Sequence, residues 1–504
     1  MISDTSLSCK YINLNYSDVL QSPRESFDCG DPTMNPSRLT TTVFDEEACD
    51  SIFSATLTVL EKTGVEVRDE DALAALARAG AAVDATRARI PRALVEDALA
   101  SAPGQADLPS RAPREALSLR DGPTYFGSGS DTPYIHGPGA RSRRLATLAD
   151  VEEMAALQEK LPGYDFVMSM ALPDGLDERE IGAAQFAAML RGTSKPIVMV
   201  TAQGHLLPVF HEMAAAAGDQ RSWCLYAQPT SPLVHGKDSV ERLVGCARLR
   251  VPLVYPTTVL PGATAPASRA GMMIVANAES LSGLVIHQLA NPGAPFVYGV
   301  TQGSMDLRTG AVRYFSPEGL ANHFSSADMA RFFGLPSFGN GGVSDSQMLD
   351  GQWAAEAAVS LWVAAMSRIT LVHDVGYLAS GMGSSYEACV FMDELIGYVR
   401  ETLRGPSLDA ESLALDEIME VGPGGNFLAR RHTREHRRDF VLPELLMQQP
   451  HGVWQSAGES SLLDRVAERS RELRAIGRAY ALPDAAAAAL DGLEAAGRRL
   501  TRRR

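Results

Sequence analysis

Seven short apolar runs alternate with Ala-rich amphipathic segments, and no GxGxxG fingerprint follows the first of them. These observations predict an α/β protein built on a closed TIM (β/α)8 barrel, with an N-terminal helical module and C-terminal helices. Strands buried on both faces read as continuous apolar stretches, and parallel pairing needs a long crossover between them. The runs are DFVMSMALP (165–173), KPIVMVTA (195–202), SPLVHG (231–236), VPLVYPTTV (251–259), PFVYGV (295–300), LPSFGNGG (335–342) and ITLVHDVG (369–376). A barrel needs about 250 residues. A doubly wound open sheet, the competing arrangement, would place the dinucleotide fingerprint after its first strand.

The elements follow in order. Residues 1–40 are rich in Ser, Asp and Pro and read as a poorly ordered leader. Residues 41–115 form a helical module: FDEEACDSIFSATLTVLEKTG carries Ile52, Phe53, Leu57 and Leu60 at helical spacing and stops at Gly64. A later helix of the module opens with Pro91 in its first turn. Residues 116–450 hold the barrel, and residues 451–504 form C-terminal helices with a basic tail.

Composition bounds the function. The chain has 504 residues, 45% of them hydrophobic and 21% charged, which is globular and excludes a disordered or fibrous protein. With 46 basic against 61 acidic side chains the formal charge is −15, which argues against nucleic acid or an anionic membrane as partner. The Arg-rich end (Arg498, Arg499, Arg502, Arg503, Arg504) reads as a solvated terminus. Six scattered cysteines make no CxxC pair. A disulfide framework is therefore not expected, and a reducing, cytoplasmic location is. The first twenty residues lack an apolar signal core.

Few motifs carry chemistry. GSGSDTPY (127–134) reads as a hairpin turn or, less well, a phosphate loop. FGNGGVSDS (338–346) follows a strand and precedes a helix starting near Asp350, which would put it at the C-terminal mouth of a barrel, where substrates sit. Ser344 or Asp345 capping that helix is the alternative. HTREH (432–436) has helical spacing for a metal, but surrounding arginines oppose a dication. No GxSxG, Walker or HExxH motif occurs. Tyr255 and Tyr298 end strand-like runs. A ring at a barrel mouth suits a bound cation, at about 0.5–2 kcal/mol per contact, and core packing is the alternative.

Several longer stretches together resemble the trimethylamine:corrinoid methyltransferase family. They are PGATAPASRAGMMIVANAESLSGLVIHQLANPGAPFVYG (261–299), MDLRTGAVRYFSPE (305–318), GLPSFGNGGVSDSQMLDGQWAAE (334–356), ASGMGSSYEACVFMDELIG (379–397) and LDEIMEVGPGGNFL (415–428). The resemblance implies a TIM barrel that moves a methyl group from a methylated amine to the Co(I) corrinoid (cobalamin) of a small partner protein. The resemblance also implies that no cofactor is held tightly, and no metal ligand is expected. The founding branch acts on trimethylamine and carries pyrrolysine within the barrel. This chain has only the twenty ordinary residue types, so the resemblance points to the branch acting on quaternary amines such as glycine betaine. A quaternary ammonium leaves as a neutral amine, so positioning rather than a triad or zinc is the main requirement.

From position along the chain, Tyr255 and Tyr298 are expected to wall the ammonium, with His373 and Gln302 holding a carboxylate or hydroxyl. Asn340 and Asp345 are expected near the same mouth. No catalytic residue is assigned. A divergent TIM-barrel enzyme of amine metabolism and a betaine-binding protein without methyl transfer are the other readings. The expected partners are a cognate corrinoid protein and a small quaternary amine, without nucleic acid or membrane. The long Ala-rich helices are compatible with a homo-oligomer.

Overall fold

The computed structural model describes residues 41–138, 143–301, 303–407 and 409–502. The leader expected at 1–40 lies outside the described residues, as do Gln302 and the last two arginines. A parallel sheet runs Tyr125–Phe126, Leu371–His373, Ser337–Asn340, Phe296–Val300, Leu253–Thr257, Trp223–Tyr226 and Ile197–Val200. Residues 166–167 close it, since Phe166 bridges Gly127 on one side and Val167 bridges Ile197 on the other, both in parallel. The result is a closed eight-stranded barrel.

Five of the apolar runs contain a barrel strand of the sheet, and DFVMSMALP supplies the closing stretch. SPLVHG departs from expectation. Its strand, Val234–His235, pairs in parallel with Val65–Val67 of the N-terminal module instead. Glu279 draws this segment outward by accepting from the Ser231 hydroxyl (2.8 Å) and the Leu233 N–H (2.9 Å). Two barrel strands escape sequence reading. Tyr125–Phe126 is two residues long, and Trp223–Tyr226 lies in a polar context (DQRSWCLYAQP) without a β-branched run.

Inward and outward residues alternate along each strand. Tyr125, Phe166, Met168, Val198, Cys224, Val254, Val297, Phe338 and Leu371 form one buried cluster inside the barrel. Leu108, Leu117 and Leu119 of the hairpin Ala106–Leu108/Leu117–Leu119 belong to it. The hairpin lies at the strand N-termini, where Thr370 Oγ1 donates to Arg120 O (3.1 Å). One end of the barrel is thus plugged, which leaves the C-terminal end for a ligand.

A larger cluster fills the layer between strands and helices. Helix Arg269–Ala290 is central to it and packs against the N-terminal helices Glu46–Lys62 and Arg92–Ser101. It is the one helix among the described residues long and apolar enough to cross a membrane, and 78% of the qualifying window is buried inside the protein. The C-terminal helix Asp484–Arg502 lies along Glu178–Gly192, tied by Arg191 to Asp491 (2.6 Å) and Glu494 (2.7 Å). Arg498, read from sequence as part of a solvated end, pairs with Glu494 (2.7 Å) within this helix.

Candidate functional site

A cavity of about 290 Å³ opens at the C-terminal mouth. Strand ends supply Met168, Val200, Tyr226, Thr301, His373 and Asp374, and the loops above them add Tyr314 and Tyr377. Tyr226 faces in because it pairs in register with Val254 and Val200, both inward residues. Its hydroxyl donates to Gln228 Oε1 (2.9 Å), which also accepts from Thr258 Oγ1 (3.0 Å). Burial, and then the nearby Asp374 carboxylate, push the Tyr226 phenol up to about 12. It stays a neutral ring at working pH.

His373 lies flat on Phe338, ring centroids 4.2 Å apart and planes 21° apart. Asp374 follows in the left-handed region, φ 67°, a conformation costly for a non-glycine residue and concentrated at functional sites. Its Oδ1 stands 2.7 Å from His373 Nδ1. The approach lacks hydrogen-bond geometry, so neither ring nitrogen of His373 has a hydrogen-bond partner among the described residues. The Tyr377 hydroxyl donates to the Ser130 carbonyl. Its ring presses on Gly129, where an added Cβ would come within 2.2 Å. GSGSDTPY is not the turn of a hairpin, although its last residue opens the hairpin Tyr134–His136/Arg143–Leu145. It is the loop leaving the first barrel strand, glycine-rich so that Tyr377 can approach its backbone.

Two expected site residues are elsewhere. Tyr255 and Tyr298 are register partners on adjacent strands and share one face, the outer one. The Tyr255 hydroxyl meets His235 Nδ1 (2.8 Å), and its ring packs on Gly283, where a Cβ would approach to 2.4 Å. Tyr298 donates to Asn277 Oδ1 (2.7 Å) and meets Phe333 edge-on at 5.5 Å. Both weld a strand to helix Arg269–Ala290 and neither walls the mouth. The physical reason is strand alternation: Val254 and Val297 point in, so their successors point out.

Asp345 is also not a lining residue. Its carboxylate accepts from the N–H groups of Tyr314 (2.9 Å) and Phe315 (3.0 Å), and so holds the loop that hangs Tyr314 over the cavity. Helix Gly351–Met366 is capped by Asp350, which accepts from Trp353 N (2.9 Å). Asn340 is fully buried on the same strand face as Phe338 and pairs in register with His373. Gln302 lies outside the described residues. Of the five expected residues that are described, His373 alone lines this cavity. Sequence reading missed Tyr226, Tyr314, Tyr377 and Asp374; VHDVGY (372–377) held two of them beside His373.

Among the described residues no group of three His, Cys, Asp or Glu is arranged to hold a metal. The cavity gathers three tyrosines, one imidazole and one carboxylate, Asp374, side chains of the kind that hold an organic cation.

Fold and cavity together define a (β/α)8-barrel protein with a tyrosine-lined cavity at its C-terminal mouth. The chain belongs to the family described as trimethylamine methyltransferase (MTTB), which it matches over residues 23–499. It is 30% identical over 427 residues to a glycine betaine methyltransferase of Desulfitobacterium hafniense (strain Y51), covering 82% of this chain and 88% of the relative. It is 28% identical over 447 residues to a trimethylamine methyltransferase of Methanosarcina thermophila, covering 83% and 90%. Among solved structures, the hydroxylamine complex of MtmB superposes with a TM-score of 0.51 over 88% of this chain and 90% of that one. At 12% identity this likeness concerns the fold alone.

Proposed function

We propose that this protein transfers a methyl group from a quaternary amine of the glycine betaine kind to the Co(I) corrinoid of a partner protein. The observation that carries the reading is the mouth cavity, where Tyr226, Tyr314 and Tyr377 surround a space that Asp374 also lines. A quaternary ammonium has no N–H to donate, so a site for it needs π faces and a nearby negative charge rather than hydrogen-bond acceptors. The 30% identity to a glycine betaine methyltransferase and a sequence of twenty ordinary residue types support the quaternary branch.

In the reaction, the cobalt electron pair forms the new carbon–cobalt bond as the carbon–nitrogen bond breaks. The departing electron pair stays on nitrogen, giving a neutral tertiary amine without a proton transfer. The protein's part is orientation: rings and carboxylate fix the nitrogen so that one methyl projects out of the mouth. Alignment of this kind is worth several kcal/mol.

The test is a reconstituted Co(I) corrinoid protein incubated with the protein and a panel of quaternary and tertiary methylamines, followed by visible spectroscopy. A methyl-Co(III) spectrum with a quaternary amine is the expected result. Silence across the panel, with a correctly reduced partner, sinks the proposal and returns the protein to a binding or divergent-enzyme role.

A further inference from the structure

The barrel mouth has a second recess, of about 510 Å³, that shares Val200, Tyr226 and Gln228 with the aromatic cavity. Its charge is opposite. Arg68, Lys237 and Arg242 line it against a single carboxylate, Asp238. In a chain of formal charge −15 this is a local excess of cations.

Arg68 is already engaged by Glu66 (2.7 Å) and is largely exposed. Arg242 is different. Its Nε donates to Asp238 O (3.0 Å), its Nη1 to Thr201 O (2.6 Å) and its Nη2 to Ser239 Oγ (3.3 Å). All three acceptors are neutral. A guanidinium carries five N–H donors in a fixed fork, so one N–H on each terminal nitrogen is left without an acceptor among the described residues. Burial lowers the pKa of Arg242. The side chain is thus held rigidly and partly stripped of water, and among the described residues it forms no ion pair, the carboxylate of Asp238 acting on it only through space. A cation so placed is ordinarily compensated by an anion, and a planar fork with two free donors fits a carboxylate.

We propose that Arg242, assisted by Lys237, takes the carboxylate of a zwitterionic substrate whose ammonium occupies the adjoining aromatic cavity beside Asp374. This rests on the functional reading above and narrows it: the site selects betaines over amines that carry only the cation. Tyr226 stands at the junction, its ring shared by both recesses.

Calorimetric titration of the whole protein, without corrinoid partner, tests this directly. The ligands are glycine betaine, a betaine with three carbons between nitrogen and carboxylate, and tetramethylammonium. Wild type is expected to bind at least one betaine about tenfold more tightly than tetramethylammonium. Arg242→Gln should weaken that betaine roughly 10- to 100-fold and leave tetramethylammonium within about twofold. Arg242→Lys should recover part of the preference, and Lys237→Ala should cost a few-fold. The ratio of the two affinities is the readout, because a general loss of folding lowers both together.

Equal loss for both ligands, or an unchanged betaine affinity in Arg242→Gln, overturns the proposal. So does a variant whose only change is a higher KM for the corrinoid protein, which would give the recess to the partner. If wild type binds betaine and tetramethylammonium equally, this inference falls while the methyl-transfer reading stands. If wild type binds none of the three, both fall.

Discussion

Asp345 holds Tyr314 in place: its carboxylate accepts the Tyr314 N–H at 2.9 Å and that of the following residue at 3.0 Å, across some thirty residues of chain. Asp345 is itself fixed, because Glu356 accepts its N–H (2.8 Å) and the hydroxyl of Ser344 (2.8 Å). The glycine-rich loop after one barrel strand thereby sets the position of an aromatic ring carried by the loop after the previous strand.

Asp345→Ala removes two charge-assisted hydrogen bonds, each worth about 1.5–3 kcal/mol. Tyr314 then loses its fixed place, and affinity for the quaternary amine is expected to fall by about tenfold, with Asp345→Asn intermediate. Calorimetric titration checks this; an unchanged affinity would detach Tyr314 from the site.

The two kinds of tyrosine respond differently. Tyr226→Ala removes a cavity wall, and amine binding should weaken by about 0.5–2 kcal/mol, whereas Tyr226→Phe keeps the π face and most of the affinity. Tyr255→Phe breaks the contact with His235 on the outer face. It should lower stability by about 1 kcal/mol and leave amine affinity alone. Urea midpoints and titrations on the same three variants separate the roles.

Lys195 is fully enclosed and donates to the carbonyls of Gln158 (2.6 Å), Leu161 (2.7 Å) and Tyr164 (2.5 Å), closing the end of helix Leu148–Glu159. Burial lowers its pKa, although the nearby carboxylates, Glu159 first, oppose this. Lys195→Met fills the space, and the Gln158 and Leu161 carbonyls keep the N–H groups of Leu161 and Tyr164 (3.2 Å each), but the Tyr164 carbonyl loses its donor, for an expected loss of about 1–3 kcal/mol. Chemical denaturation measures it; a loss under about 1 kcal/mol would mean that water replaces the ammonium.

Glu279 predicts a pH dependence. Burial raises its carboxyl to about 7, against hydrogen bonds from Leu233 and Ser231 that favour the charged form. Between the ordinary value of 4.5 and about 7 the folded protein keeps a proton that the unfolded chain has released. Stability therefore falls as pH rises through that window and levels off above it, by about 3 kcal/mol for a shift of this size. Glu279→Gln should flatten this part of the profile. Parallel slopes for wild type and variant, read from urea midpoints across the window, would refute it.

The apolar runs at 195–202, 251–259, 295–300, 335–342 and 369–376 mark barrel strands because a strand buried on both faces needs apolar residues throughout. Their alternation with Ala-rich helices, and the missing fingerprint, are enough to select a barrel. The same continuity hides the information a site requires. In LVYPT or FVYGV every residue is compatible with either face, and only closure of the barrel decides that Val254 and Val297 point in while Tyr255 and Tyr298 point out. Tyr226 escapes for a second reason: its strand is four residues in a polar setting, held by its neighbours rather than by its own propensity. Family, fold class and His373 were thus open to the sequence. The grouping of Tyr226, Tyr314 and Tyr377, the hold of Asp345 on Tyr314 and the setting of Arg242 beside the cavity are decided by tertiary structure, because each joins segments whose proximity exists only after eight strands have closed on one another.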